Sequence, residues 1–147
     1  MATPTNDGDI QQLNSFLRGE ESAVETYDQA IEKLSDEPAI ATELKQCRAS
    51  HQMRVDLLKQ EVTRLGGEPA PSSGAWGSFA KLVEGGAKAF GKKSALQALE
   101  QGEDHGRNDY ERDLDDVSAP IRSFVQTKLL PEQHRTHDAL SALKKRV

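Results

Sequence analysis

Two short segments of the chain repeat each other, and each carries a carboxylate where a helix would turn it inward. Gly19-Glu20-x-x-Ala23-x-x-x-Tyr27 returns as Gly102-Glu103-x-x-Gly106-x-x-x-Tyr110, a shift of 103 − 20 = 83 positions. Glu20 falls in the core-facing series 13, 17, 20, 24, 27, 31, 34, and Glu103 falls in the series 96, 99, 103, 106, 110. In an antiparallel hairpin, residues equally far from the turn lie at one height. Glu20 and His51 average to 35.5, at Ser35-Asp36; Glu103 averages to 118.5 with His134 and to 120 with His137, at Ser118-Ala119-Pro120. His51 lies between Cys47 and Val55 on an apolar spacing, and Leu130 and Leu140 flank the face of His137. Two glutamates and two histidines are therefore expected to meet in the middle of a helical bundle.

An unpaired carboxylate in such a core costs several kcal/mol or takes up a proton, so it must be compensated. One compensation is a divalent metal, such as iron, manganese or zinc, held by Glu20, His51, Glu103 and His137. The other is a metal-free polar seam. There Arg48, one turn from His51, neutralises a glutamate, Tyr27 and Tyr110 donate hydrogen bonds, and Gln133 and His134 complete the set. A dinuclear site needs Glu-x-x-His on two helices, and those slots read Arg48-x-x-His51 and His134-x-x-His137. The full di-iron ligand set is absent, and the metal-free reading is preferred.

The elements that must hold these groups are helices. Leu13, Leu17, Val24, Ile31 and Leu34 set a first helix from Ile10 to the Ser35-Asp36-Glu37-Pro38 turn, where Ser or Asp would cap its successor. Ile40, Leu44, Cys47, Val55, Leu58, Val62 and Leu65 set a second, stopping at Gly66-Gly67. Residues 68–93 form a crossover, with a breaker cluster at Pro69, Pro71 and Gly74 and a short apolar piece at Trp76, Phe79, Leu82 and Val83. A third helix is expected from Ser94, capped with Gln97, through Leu96, Leu99, Tyr110, Leu114 and Val117. A fourth carries Ile121, Phe124, Val125, Leu129, Leu130, Leu140 and Leu143, with a kink at Pro131. The expectation is one all-α domain over residues 10–147, an antiparallel ferritin-like four-helix bundle, behind a flexible N-terminus at residues 1–9.

Composition narrows the partners. With 24 acidic against 19 basic side chains the chain is at −5, which draws neither nucleic acid nor an anionic membrane. A single thiol, Cys47, makes no internal bridge, and the polar start of the chain resembles no signal sequence, so a cytoplasmic location is expected. Cys47 reads as a small core residue or, one turn from His51, a soft metal ligand. Trp76 and Phe79 read as a lid over the core or as a docking surface, and Lys88, Lys92 and Lys93 as a solvated cluster. No phosphate loop, Ser/His/Asp set or Cys-x-x-Cys is present.

Three segments carry a family resemblance: Arg64-Leu65-Gly66-Gly67-Glu68-Pro69, Leu99-Glu100-x-Gly102-Glu103-Asp104 with Tyr110, and Gln133-x-x-x-His137-Asp138-x-Leu140. Together they resemble bacterial ferritin-like proteins of the domain of unknown function 2383, linked to stress response. The resemblance covers nearly the whole chain and implies the four-helix bundle. Glu20-x-x-Ala23-x-x-x-Tyr27 is also similar to the first helix of rubrerythrins, which implies iron ligation by Glu20 and, through the repeat, Glu103. Arg48 departs from that pattern, where a rubrerythrin-like protein would have glutamate. The functional expectation is a non-enzymatic or vestigial bundle, stress-associated, with a protein partner or a second copy of itself. Its rival is a metal-dependent redox or storage protein.

Overall fold

The computed structural model describes residues 4–71 and 91–147; Trp76, Phe79, Leu82, Val83 and Lys88 of the crossover lie outside them. The described residues form an all-α bundle: α1 (Pro4–Lys33), α2 (Pro38–Arg64), α3 (Lys92–Arg112), and a fourth helical run. That run consists of α4 (Ala119–Phe124), a π-helical turn (Val125–Leu129) and α5 (Leu130–Lys145).

The helix ends follow local chemistry. Gly66 at φ 88° ends α2, with Gly66 N–H on the Thr63 carbonyl at 3.0 Å and Gly67 N–H on Val62 at 2.9 Å. This paired cap satisfies two carbonyls that the helix leaves open. A side chain on Gly67 would meet Ile10 at 2.7 Å, so the end of α2 lies tightly on the start of α1. The expected caps differ at two other ends. Glu37 rather than Ser35 or Asp36 precedes α2, without a side-chain bond, because Pro38 has no N–H to satisfy and sets φ itself. Helix α3 begins at Lys92 after Gly91, whose φ of 85° lies in the left-handed region that glycine favours, so Ser94 lies inside the first turn. At the other end, α1 reaches back to Pro4 where a flexible segment was expected. Asp9 is buried there and accepts from the Ser118 N–H at 2.9 Å and hydroxyl at 2.6 Å.

Contacts between the helices run in opposite senses. Glu20 meets His51 and Arg54 while Asp28 meets Arg48, so α1 and α2 are antiparallel. Glu103 meets Gln133 and Thr136 while Glu100 meets Ser141 and Lys144, so α3 and α5 are too. Across the bundle, Tyr27 reaches Glu103 and Tyr110 reaches Glu20, pairing α1 with α3 about an approximate two-fold axis.

The core has two apolar layers with a polar seam between them. One layer packs Ala30, Leu34, Leu44, Leu96, Leu140 and Leu143 near the α1–α2 turn. The other packs Leu13, Leu17, Leu58, Ile121, Val125 and Leu129 at the far end. Each fully buried leucine contributes about 2 kcal/mol relative to exposure, enough for the layers to carry the fold and tolerate a polar level.

Pro131 takes the form of a π turn rather than a simple break. The Leu130 N–H bonds the Val125 carbonyl five residues back, which relieves the turn that Pro131 cannot complete. The extra residue shifts register. Matching the buried positions of α2 to the fourth run, the offset is 81 at Ile40 and Ile121 (121 − 40) but 82 at Cys47 and Leu129 (129 − 47). It stays at 82 for His51 with Gln133 and for Arg54 with Thr136.

Candidate functional site

The polar seam is built around His51, whose ring nitrogens each face a carboxylate. Nδ1 lies 2.5 Å from Glu20 Oε1 and Nε2 lies 2.7 Å from Glu103 Oε2. A neutral imidazole offers one N–H, so both contacts are hydrogen bonds only if the ring is doubly protonated. The hydroxyl of Tyr110 donates to Glu20 Oε2 and that of Tyr27 to Glu103 Oε2, each tyrosine of the repeat serving the other copy's glutamate.

Arg54 closes the seam from one side. It is 0% exposed and uses all five of its N–H groups. Nη1 donates to Glu20 Oε2 at 3.2 Å and to Gln133 Oε1; Nη2 donates to Ser50 Oγ at 3.2 Å and Thr136 Oγ1 at 3.1 Å; Nε reaches the Ser50 carbonyl at 3.4 Å. Gln133 passes its amide hydrogens to the Glu103 carbonyl at 2.7 Å and to Glu103 Oε1 at 2.8 Å, and Thr136 donates to the same Oε1 at 2.7 Å. The helical i, i+3 spacing sets this geometry. His51 and Arg54 on α2, and Gln133 and Thr136 on α5, stack one turn apart on facing surfaces.

Charge follows from these contacts. Burial raises the carboxyl of Glu20, but Arg54 and His51 outweigh it and bring it down from 4.5 to about 2. Burial also raises Glu103, and His51 with Arg54 reverses that to a net lowering. For His51, burial and Arg54 favour the neutral ring, yet Glu103 and Glu20 prevail and its pKa is raised. Two carboxylates thus face two cations, and the seam is neutral. Burial and the facing glutamates keep Tyr27 and Tyr110 protonated, with pKa values well above 10.0.

The structure brings together Glu20, His51, Glu103, Tyr27, Tyr110 and Gln133 and leaves the other expected residues outside. His137 is partly exposed and bonds Asp104 at 2.6 Å on the bundle's side. His134 is exposed, one position past Gln133. Both miss the core because the buried series of this run is Leu129, Gln133, Thr136 and Leu140, and 134 and 137 each lie one position past it. Arg48 pairs with Asp28 at the surface, and the guanidinium expected there is supplied by Arg54, two turns further along α2. Arg54 had a signal in the sequence, since 54 continues the inward spacing 44, 47, 51. Ser50 and Thr136 carried none beyond their place beside it. Cys47 is buried in the apolar layer with its thiol pushed to about 11 by burial and by Glu103, as expected of a small core residue.

A metal does not fit these groups. A carboxylate has about four acceptor sites, and Glu103 accepts from His51, Tyr27, Gln133 and Thr136, which fills them. Glu20 and Glu103 lie on opposite nitrogens of one imidazole, so they do not converge on a point. Among the described residues no group of three His, Cys, Asp or Glu side chains could hold an ion. A cleft of about 50 Å³ between α1 and α3, walled by Gly19, Ala23, Gly102 and Gly106, does reach Glu20, Glu103 and His51. Its volume is room enough for a few water molecules.

No curated protein and no solved structure matches the chain significantly. No helix among the described residues is long and apolar enough to cross a membrane. Residues 9–116, which contain the whole repeat together with His51 and Arg54, match the profile described as domain of unknown function (DUF2383), and the chain belongs to that family.

Proposed function

We propose that this chain is a metal-independent bundle of the ferritin-like kind, acting in the cytoplasm as a stress-associated interaction protein rather than as an enzyme. The observation that carries this reading is the closure of the seam. All five donors of Arg54 and about four acceptor positions of Glu103 are taken inside the protein, so neither group is left to bind or activate a substrate. A neutral, saturated polar level between apolar layers fixes helix register, which is a structural role. The net charge of −5 disfavours nucleic acid and anionic membrane, which leaves a protein partner or a second copy of the chain.

The rival, a metal-dependent redox or storage protein on Glu20, His51, Glu103 and His137, draws support from the cleft that reaches both glutamates. It requires His137 to leave Asp104 and Arg54 to leave the core. The test is elemental analysis of protein purified without chelator and incubated with ferrous, manganous and zinc ions. No stoichiometric ion, and a Tm unchanged by chelator, are expected. A stoichiometric ion that is lost in Glu103→Ala would replace this reading with the rival.

A further inference from the structure

Arg54 is held in a shell made entirely of oxygen atoms, and this inference rests on the metal-free reading above. Its five acceptors are Glu20 Oε2, Gln133 Oε1, Thr136 Oγ1, Ser50 Oγ and the Ser50 carbonyl, contributed by α1, α2 and α5. One carboxylate, one amide, two hydroxyls and one backbone carbonyl supply five acceptor contacts, one for each N–H of a guanidinium. The oxygens are fixed independently of the arginine as well. Tyr110 and His51 hold Glu20, the Gln133 amide hydrogens are anchored on Glu103, and Ser50 donates to Glu132 at 3.2 Å. Removing the guanidinium would leave a formed cage with one uncompensated negative charge.

We propose that Arg54 is the bundle's tethered resident cation, and that the cage it fills is a cation site that takes a free guanidinium-type cation once the tether is cut. The cleft between α1 and α3 reaches Glu20 and Gln133, two of the residues that form the cage. Carrying its cation on α2 frees the fold from any dependence on ion supply while keeping the seam neutral. The cage selects for a planar, multiply donating cation, because its five oxygens match a guanidinium fork rather than a point charge.

Chemical rescue tests this. Arg54→Ala retains Cβ, so ethylguanidinium replaces the missing atoms. The variant is expected to lose on the order of 10 °C in Tm, and millimolar ethylguanidinium to recover at least half of that loss. Sodium chloride at equal ionic strength should recover none, and the unaltered protein should gain nothing from either. If the variant does not fold alone, refolding yield with and without ethylguanidinium reads the same quantity. Absence of rescue in either form, with the unaltered protein free of metal, overturns the proposal. So does an Arg54→Met variant as stable as the original, since an uncharged side chain would then serve. A stoichiometric metal in the unaltered protein that Glu103→Ala abolishes would instead overturn the metal-free reading on which this rests.

Discussion

Glu20 and Glu103 occupy equivalent places in the repeat, but the second helices of the two hairpins answer them differently. Helix α2 meets Glu20 with two cations, His51 and Arg54; α5 meets Glu103 with two neutral side chains, Gln133 and Thr136, and shares His51 across the axis. Both positive charges of the seam therefore come from one helix. The duplicated part of the sequence supplies the anions and their tyrosines, and the asymmetric part decides how they are neutralised.

Substitutions in α2 should accordingly cost more than their counterparts in α5. Arg54→Ala leaves Glu20 buried without its cation and is expected to cost about 3–5 kcal/mol, against about 1–3 kcal/mol for Gln133→Ala, which removes neutral hydrogen bonds. Urea denaturation of the two variants measures the difference, and equal losses would mean that charge does not set the hierarchy.

The next effect is pH dependence, and the two sides of the seam have opposite signs. Glu20 titrates near 2 when folded and near 4.5 otherwise, so its contribution is present above 4.5 and lost as pH falls from 4.5 toward 2. That contribution is about 3 kcal/mol. His51 is raised above 6.5, so its contribution is present below 6.5 and lost as pH rises through its folded value. Stability should plateau between these limits and fall on both sides. Thermal melts across the range, repeated on His51→Gln, should show the alkaline decline disappear with the histidine.

A smaller effect separates the tyrosines. Tyr110→Phe and Tyr27→Phe each remove one hydroxyl donor to a carboxylate, about 1.5–3 kcal/mol. Glu20 accepts three bonds and Glu103 four from the groups described above. Tyr110→Phe should therefore be the more costly of the two, read from paired denaturation curves. At the bottom of the order, Arg48→Ala breaks only the exposed pair with Asp28 and should change stability by less than about 0.5 kcal/mol.

The same comparison explains what could be read from the sequence. The all-α architecture and the inward glutamates, tyrosines and His51 follow from apolar spacing and an 83-residue shift, both of which survive in straight α-helices. The hairpin midpoints also placed the α5 partners at the right height. The inward face lies one residue before the histidines because Leu129, and not Leu130, is the fully buried position that leads into α5. Arg54 escaped for another reason. An arginine reads as surface, and Val55 beside it satisfies the helix's apolar spacing, so the sequence points to Arg48 for a guanidinium that Arg54 supplies. Polar groups in a core are visible in a sequence only when their counter-charges are placed with them.

The central claim, that the seam is neutralised by protein cations alone, is tested most directly by nitrogen NMR of His51 in the unaltered protein at neutral pH. The account predicts that both ring nitrogens carry protons, with two N–H signals protected from exchange and unaffected by added ferrous, manganous or zinc ions. A ring with one unprotonated nitrogen, or one whose signals shift on stoichiometric metal addition, would contradict it.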